Sequence, residues 1–320
     1  GKQRMSHSVA ETAKTAPREI PRFTGSAREI VRAPHLFFLK LTREYGDIVQ
    51  YRATPEPAYL INNPTYIQHV LLNNGKNYNK DTHLNKYMLK SVTGEGLITS
   101  ENPLWRKQRH LMQPAFHRHN LVNFADLIGD ATKRMLEQWV PYAVAAEPFN
   151  IAEEMMKLTL NIVTRALFGY NISAEAEKVG AAVDQLIAFR KPNRPGFKEV
   201  LQVLDDIVFN IIDQRRQSGP SARGDLLDML LEARYEDGGG MDDKQVRDEV
   251  ISLLIAGHET TATTLTWMWY LLCQNPAAVD NAQAEIDQVL AGRLPTVSDF
   301  PRLIYGEKVI KEGLRLSLIH

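Results

Sequence analysis

Val250-Ile-Ser-Leu-Leu-Ile-Ala-Gly-His-Glu-Thr-Thr-Ala-Thr-Thr264 is the stretch on which the fold reading turns. Apolar residues at helical spacing flank it on both sides, which places it inside one helix over about residues 242–274. Thr260, Thr261, Thr263 and Thr264 put four β-branched residues into five positions. Each is less favourable than alanine in a helix by up to about 0.7 kcal/mol, and Gly257 adds about 1 kcal/mol. A helix that gives away local stability at its centre points to a functional reason. The Thr260 hydroxyl can return a hydrogen bond to the Ala256 carbonyl one turn earlier, while Gly257 lets the helix bend and leaves a groove for a small ligand. The same residues also suit a buried helix crossing, where Gly and Ala permit close approach.

Outward from this helix the chain is mainly α. Helical periodicity runs over about 27–45, closing at Gly46 as a left-handed C-cap. Asp47–Arg52 and Ala58–Ile61, separated by Thr54–Pro57, read as a small hairpin near the N-terminus. Asn63-Pro64 supplies an N-cap and a first-turn proline. Helices follow near 64–74, 103–117, 121–139, 151–168, 175–190, 197–217, 223–235, 276–291 and 306–317. Gly238-Gly-Gly240 is a turn between two helices, since no strand precedes it as a phosphate cradle requires. Residues 1–24 read as a tail and 25–320 as one domain, with no internal repeat or linker.

The composition narrows the function classes. The 320 residues carry 38 Lys+Arg and 38 Asp+Glu, a net charge of zero, which argues against a nucleic-acid partner. With 44% hydrophobic residues the chain has a globular composition, and its length allows roughly three quarters of the unfolded surface to be buried. Its longest apolar stretch, Leu265–Cys273, is about half of a membrane span, so no transmembrane anchor is expected. Gly1–Pro17 lacks the apolar core of a secretory signal, and the single cysteine, Cys273, offers no disulfide; both fit a cytoplasmic protein.

Two familiar motifs fail on inspection. His258-Glu259 opens a zinc-protease pattern whose second histidine position holds Ala262, so no metal ligand set follows. Gly94-Glu-Gly-Leu-Ile-Thr99 has Thr where a dinucleotide fingerprint needs its third Gly. Two other pairs carry more. Trp105 and Arg109 are i,i+4 on one helix face, with an indole N–H and a guanidinium able to clamp a carboxylate. Glu312 and Arg315 are i,i+3 on an otherwise apolar helix.

In this order and spacing the motifs resemble those of the cytochrome P450 family, in its soluble, bacterial type. Ala256-Gly-His-Glu-Thr-Thr261 resembles the family's oxygen-binding helix, Trp105–Arg109 its haem-propionate helix and Glu312–Arg315 its Glu-x-x-Arg motif. The resemblance runs from about Gly25 to Leu316 and implies a mainly α, P450-like helical fold with a small N-terminal sheet. It further implies haem b (iron protoporphyrin IX) held by Trp105, Arg109, Ala256, Gly257 and Thr260. The implied activity is a haem-thiolate monooxygenase that activates dioxygen to hydroxylate an apolar small molecule. Thr260 and Glu259 take the catalytic roles, Thr260 as hydrogen-bond partner of the reduced dioxygen and Glu259 as a proton relay through water. Ile98 and Ala256 shape the substrate pocket, and His258 is a polar neighbour rather than an iron ligand. A separate electron-transfer partner, a ferredoxin or flavodoxin with its reductase, is implied because no flavin or iron–sulfur segment is visible.

The sequence departs from the family pattern at its end. The family's cysteine-ligand loop lies well beyond Glu-x-x-Arg, and here only Leu316–His320 follow Arg315, so the C-terminal part of the fold is missing. Cys273 sits in the apolar run Trp267–Cys273 and reads as a buried small hydrophobe, not an axial ligand. The connection Lys191–Gly196 is also shorter than the family's lid segment. Two readings stay open: a monooxygenase whose remaining residues are not in this sequence, or a truncated, haem-free remnant that at most binds ligands. Glu312 and Arg315 are expected to be buried, and Trp105 and Arg109 to face the cavity that Ala256 and Thr260 line.

Overall fold

The computed structural model of the chain describes residues 19–25, 28–53, 56–173, 175–189, 192–221, 225–235 and 238–317. Its contacts divide at Tyr78/Asn79 into two compact units, where the sequence reads one domain from residue 25.

In the smaller unit, α1 (Arg28–Arg32) and α2 (Pro34–Tyr45) replace the single helix read over 27–45. The break falls at Ala33, whose extended φ of −154° reflects the steric restriction before Pro34. Gly46 does end α2 with positive φ, 81°, but its ψ of −141° lies outside the left-handed helical basin expected of it. Its N–H donates to the Thr42 carbonyl. Strands β1 (Ile48–Tyr51) and β2 (Ala58–Ile61) form the antiparallel hairpin, with Ile48 opposite Ile61 and Tyr51 opposite Ala58. Asn63 caps α3 (Pro64–Gln68) by accepting from the Thr65 N–H at 2.9 Å. Part of the segment read as a tail joins this unit. Phe23 donates to the Gln50 carbonyl at 2.8 Å and packs edge-on against Phe37.

The larger unit is helical. Short turns over Asn85–Leu89 lead into α4 (Lys90–Thr93), a region the periodicity does not reveal. Then come α5 (Leu104–Met112), α6 (Arg118–Ala145), α7 (Ile151–Phe168), α8 (Ala176–Phe189) and α9 (Phe197–Ser218). The unit continues with α10 (Leu226–Glu232), α11 (Asp243–Gln274), α12 (Pro276–Leu290) and α13 (Ile304–Ser317). Residues 190 and 191, at the head of the short connection before α9, lie outside the described residues.

The core explains why α11 is the axis. Val246, Val250, Ile251 and Leu254 of α11 are buried at helical spacing against α7 residues such as Leu160 and α9 residues such as Ile211. Arg215 ties three helix ends together. It donates to Asp225 Oδ1 at 2.6 Å, to Asp228 Oδ1 at 2.5 Å and to the Phe168 carbonyl at 2.9 Å. Burial works against the Asp228 charge, but hydrogen bonds from Ser221 and Arg215 outweigh it and hold this carboxyl below its usual range.

Arg215→Met should destabilise the chain by about 3–5 kcal/mol in urea unfolding, because it leaves two largely buried carboxylates without their cation. The folded pKa of Asp228 lies below the unfolded value of 3.8, so its contribution is present above that value and lost as pH falls through the folded one. Acid unfolding of Asp228→Asn should therefore show a shallower loss of stability below pH of about 4 than the wild type.

Candidate functional site

The threonine run of α11 bonds back along its own helix. Thr260 Oγ1 donates to the Ala256 carbonyl at 2.8 Å, Thr264 Oγ1 to Thr260 at 2.9 Å and Thr266 Oγ1 to Ala262 at 2.8 Å. These bonds absorb the hydroxyl hydrogens and leave the oxygen lone pairs outward. Gly257 serves a different purpose from the groove expected of it. A Cβ built there would stand 2.7 Å from Val163 Cγ2, so its bare side faces the close crossing with α7. One residue on, His258 is fully buried, with Nδ1 3.1 Å from the Leu254 carbonyl. Its own backbone carbonyl accepts from Thr159 Oγ1 at 3.0 Å, a second tie to α7 and consistent with a polar neighbour.

Two cavities flank α11. The first, about 1020 Å³, is lined by Glu259, Thr260 and Thr264, with Met156 of α7 and Ile310 and Leu314 of α13. The second, about 200 Å³, is apolar and lined by Ile98, Val183, Leu186, Phe197 and Ile255, with Glu259 at its edge. Ile98 is thus placed in a pocket wall. Ala256, expected beside it, is exposed and belongs to neither lining; its neighbour Ile255 takes that place.

The loop that carries Ile98 is fixed by buried charges that the sequence reading did not single out. The Glu95 N–H donates to Asp248 Oδ2 at 2.9 Å and the Leu97 N–H to Glu249 Oε2 at 2.8 Å. Arg247 donates to the Val92 carbonyl at 2.9 Å and to Asp248 Oδ1 at 2.8 Å, and also pairs with Asp205 of α9. Gln108, fully buried on α5, donates to the Glu95 carbonyl at 2.7 Å. Burial pushes the Glu249 carboxyl up to about 7; the Leu97 N–H opposes that rise and the Asp248 charge adds to it. The signal in the sequence was Arg247-Asp248-Glu249, three charges beside the buried face of a core helix.

Trp105 and Arg109 do share a helix face, with the guanidinium 5.4 Å from the indole centroid. Lys80 Nζ lies 5.5 Å from the same ring and donates to the Leu97 carbonyl at 3.1 Å. Arg109 is exposed and forms no ion pair among the described residues. Neither residue lines the two cavities beside α11, because α5 packs on α10 rather than across from Thr260.

Two expectations are corrected. Glu312 and Arg315 pair through Arg315 Nη2 and Glu312 Oε1 at 2.7 Å, but with 51% and 64% of their side chains exposed they are not buried. Gly313 is the buried residue of that turn and packs close to Met268 and the Thr264 carbonyl of α11, while the pair itself stays exposed. Cys273 is likewise exposed, as are Trp269 and Tyr270 on the same last turns of α11. Among the described residues no group of three or more His, Cys, Asp or Glu could hold a metal ion, and no helix is long and apolar enough to cross a membrane.

Comparison with known proteins identifies the family. The cytochrome P450 family profile matches residues 17–319. Cyclooctatin synthase of Streptomyces melanosporofaciens is 35% identical over 94% of this chain and 68% of its own length. Cyclooctat-9-en-7-ol 5-monooxygenase from the same organism is 34% identical over 95% of the chain and 68% of its own length. Pentalenene oxygenase of Streptomyces avermitilis is 31% identical over 95% of the chain and 69% of its own length. With a profile match over nearly all its length and relatives of this identity, the chain belongs to the cytochrome P450 family of monooxygenases.

Proposed function

We propose that this chain forms the substrate pocket and the dioxygen-side helix of a haem-thiolate monooxygenase that hydroxylates an apolar small molecule. The observation that carries the reading is the place of Glu259. It lines both the apolar pocket under Ile98 and the cavity lined by Thr260, so one carboxylate connects the substrate side to the threonine side. Relatives named for oxygenating pentalenene and cyclooctat-9-en-7-ol support a substrate built on an apolar carbon skeleton.

Family membership implies haem. The larger cavity suits one face of a flat apolar ligand, with Met156, Ile310 and Leu314 as walls and the outward hydroxyl oxygens of α11 on one side. By the resemblance, Arg109 and Trp105, which lie outside the linings of both cavities, would hold the cofactor's carboxylates. The described residues offer no thiolate there, since Cys273 is exposed and lines neither cavity. When bound, haem supplies the activation of dioxygen, with electrons from a separate carrier, a ferredoxin or flavodoxin with its reductase.

The chain's own contribution is to bind, orient and deliver protons. Ile98, Ile255, Val183 and Phe197 exclude water from the substrate. Thr260 Oγ1, its hydrogen committed to Ala256, presents lone pairs and acts as an acceptor that orients a protonated oxygen. Glu259 relays protons toward it through water. The haem-free reading differs in spectrum: the reduced carbonyl complex of the full-length protein should show the shifted Soret band of a thiolate-ligated haem.

Thr260→Val, which keeps the shape and removes the hydroxyl, should lower product formed per reductant consumed several-fold, while apolar ligand binding is kept. Thr260→Ser should restore most of the coupling. Equal coupling in all three proteins would assign Thr260 to packing alone. Arg109→Ala should weaken haem retention by about 1.5–3 kcal/mol, read as faster haem transfer to an excess of a high-affinity acceptor protein. An unchanged transfer rate would leave Arg109 as an ordinary surface cation.

A further inference from the structure

The segment Gly94–Ser100 is held against α11 more tightly than a surface loop requires. A Cβ at Gly94 would fall 2.1 Å from the Asp248 carboxylate, and one at Gly96 2.1 Å from Ser252 Oγ and 2.4 Å from the Asp248 carbonyl. The absence of side chains there lets the backbone reach two buried carboxylates. Asp248 takes the Glu95 N–H and Glu249 the Leu97 N–H, over sequence separations of 153 and 152 residues. Ile98, the next residue, lines the apolar pocket together with Ile255, which lies on α11 between Glu249 and Glu259.

The two carboxylates are not equivalent. Asp248 is held from three sides by Lys244, Arg247 and the loop, and Arg247 is itself tied to Asp205 on α9. Glu249 is fully buried and forms no ion pair among the described residues. A buried carboxyl with no cation is costly to keep in a core helix where leucine would fill the same volume. Among the described residues its hydrogen-bond partner is the amide of the residue that precedes Ile98.

We propose that Glu249 is a specificity-determining positioning residue: by holding the Leu97 N–H it fixes how far Ile98 projects into the apolar pocket, and so which widths of apolar substrate the pocket accepts. Glu249 touches no substrate and acts through the loop. The inference rests on the pocket under Ile98 being the substrate pocket.

Calorimetric titration of the chain with two apolar probes, compact 1-adamantanol and slender 1-decanol, tests it through the ratio of their dissociation constants. Glu249→Leu keeps the bulk and removes the acceptor. It should shift this ratio about tenfold, the low end of what one methylene of pocket shape discriminates, in the same direction as Ile98→Ala. The double variant should shift no further than Ile98→Ala alone, since both act on one side chain. Glu249→Gln, which still offers an oxygen to Leu97, should keep the wild-type ratio. Hydrogen exchange at the Leu97 amide should quicken in Glu249→Leu and not in Glu249→Gln.

If Glu249→Leu does not fold, Gly96→Ala pushes the same loop off α11 by its methyl against Ser252 and should produce the same shift. An unchanged probe ratio in a folded Glu249→Leu or Gly96→Ala, or an additive double variant, would overturn the inference and leave the pocket standing. Wild-type chain that binds neither probe would remove the pocket and the inference with it.

Discussion

The rest of the larger unit depends on how closely α11 approaches α7. Gly257 has no Cβ because Val163 occupies that space, and Thr159 bonds the carbonyl of the buried His258 beside it. This seam fixes the rotation of α11 about its axis. With Leu254, His258 and Ala262 turned inward, Glu259 and Thr260 are turned out, toward the cavities. A threonine-rich, glycine-containing segment is a poor helix on propensity alone, and burial of this face is what holds it helical.

A second constraint acts on the N-terminal half of the same helix. Arg247, Asp248 and Glu249 are buried side by side, a costly arrangement that persists because each charge meets a cation, a carboxylate or a backbone N–H. Their partners come from α9, from α4 and from the loop that leads to α5. The charges thus tie the loop bearing Ile98 to the helix bearing Glu259. The wall of the apolar pocket and Glu259 are held in register by one helix, with about three turns between Glu249 and Glu259.

What the sequence determined by itself is local. The helices of the larger unit follow from apolar spacing, and α7 matches its reading at Ile151–Phe168 because Asn150 caps one end and Gly169 closes the other. The back-bond from Thr260 to Ala256 was legible because donor and acceptor are one turn apart on a helix whose existence the flanking residues guarantee. Family motifs were legible for the same reason, as short runs in a fixed order. The tertiary structure decided what lies across from each residue. Gly257 meets Val163, Ile255 rather than Ala256 lines the pocket, and Glu312, Arg315 and Cys273 face outward. Above all it decided that Asp248 and Glu249 bind amides 153 and 152 residues away. Periodicity shows that a residue lies on the core side of a helix, but the partner it meets there is set by packing between segments distant in the chain, for which local propensity carries no information.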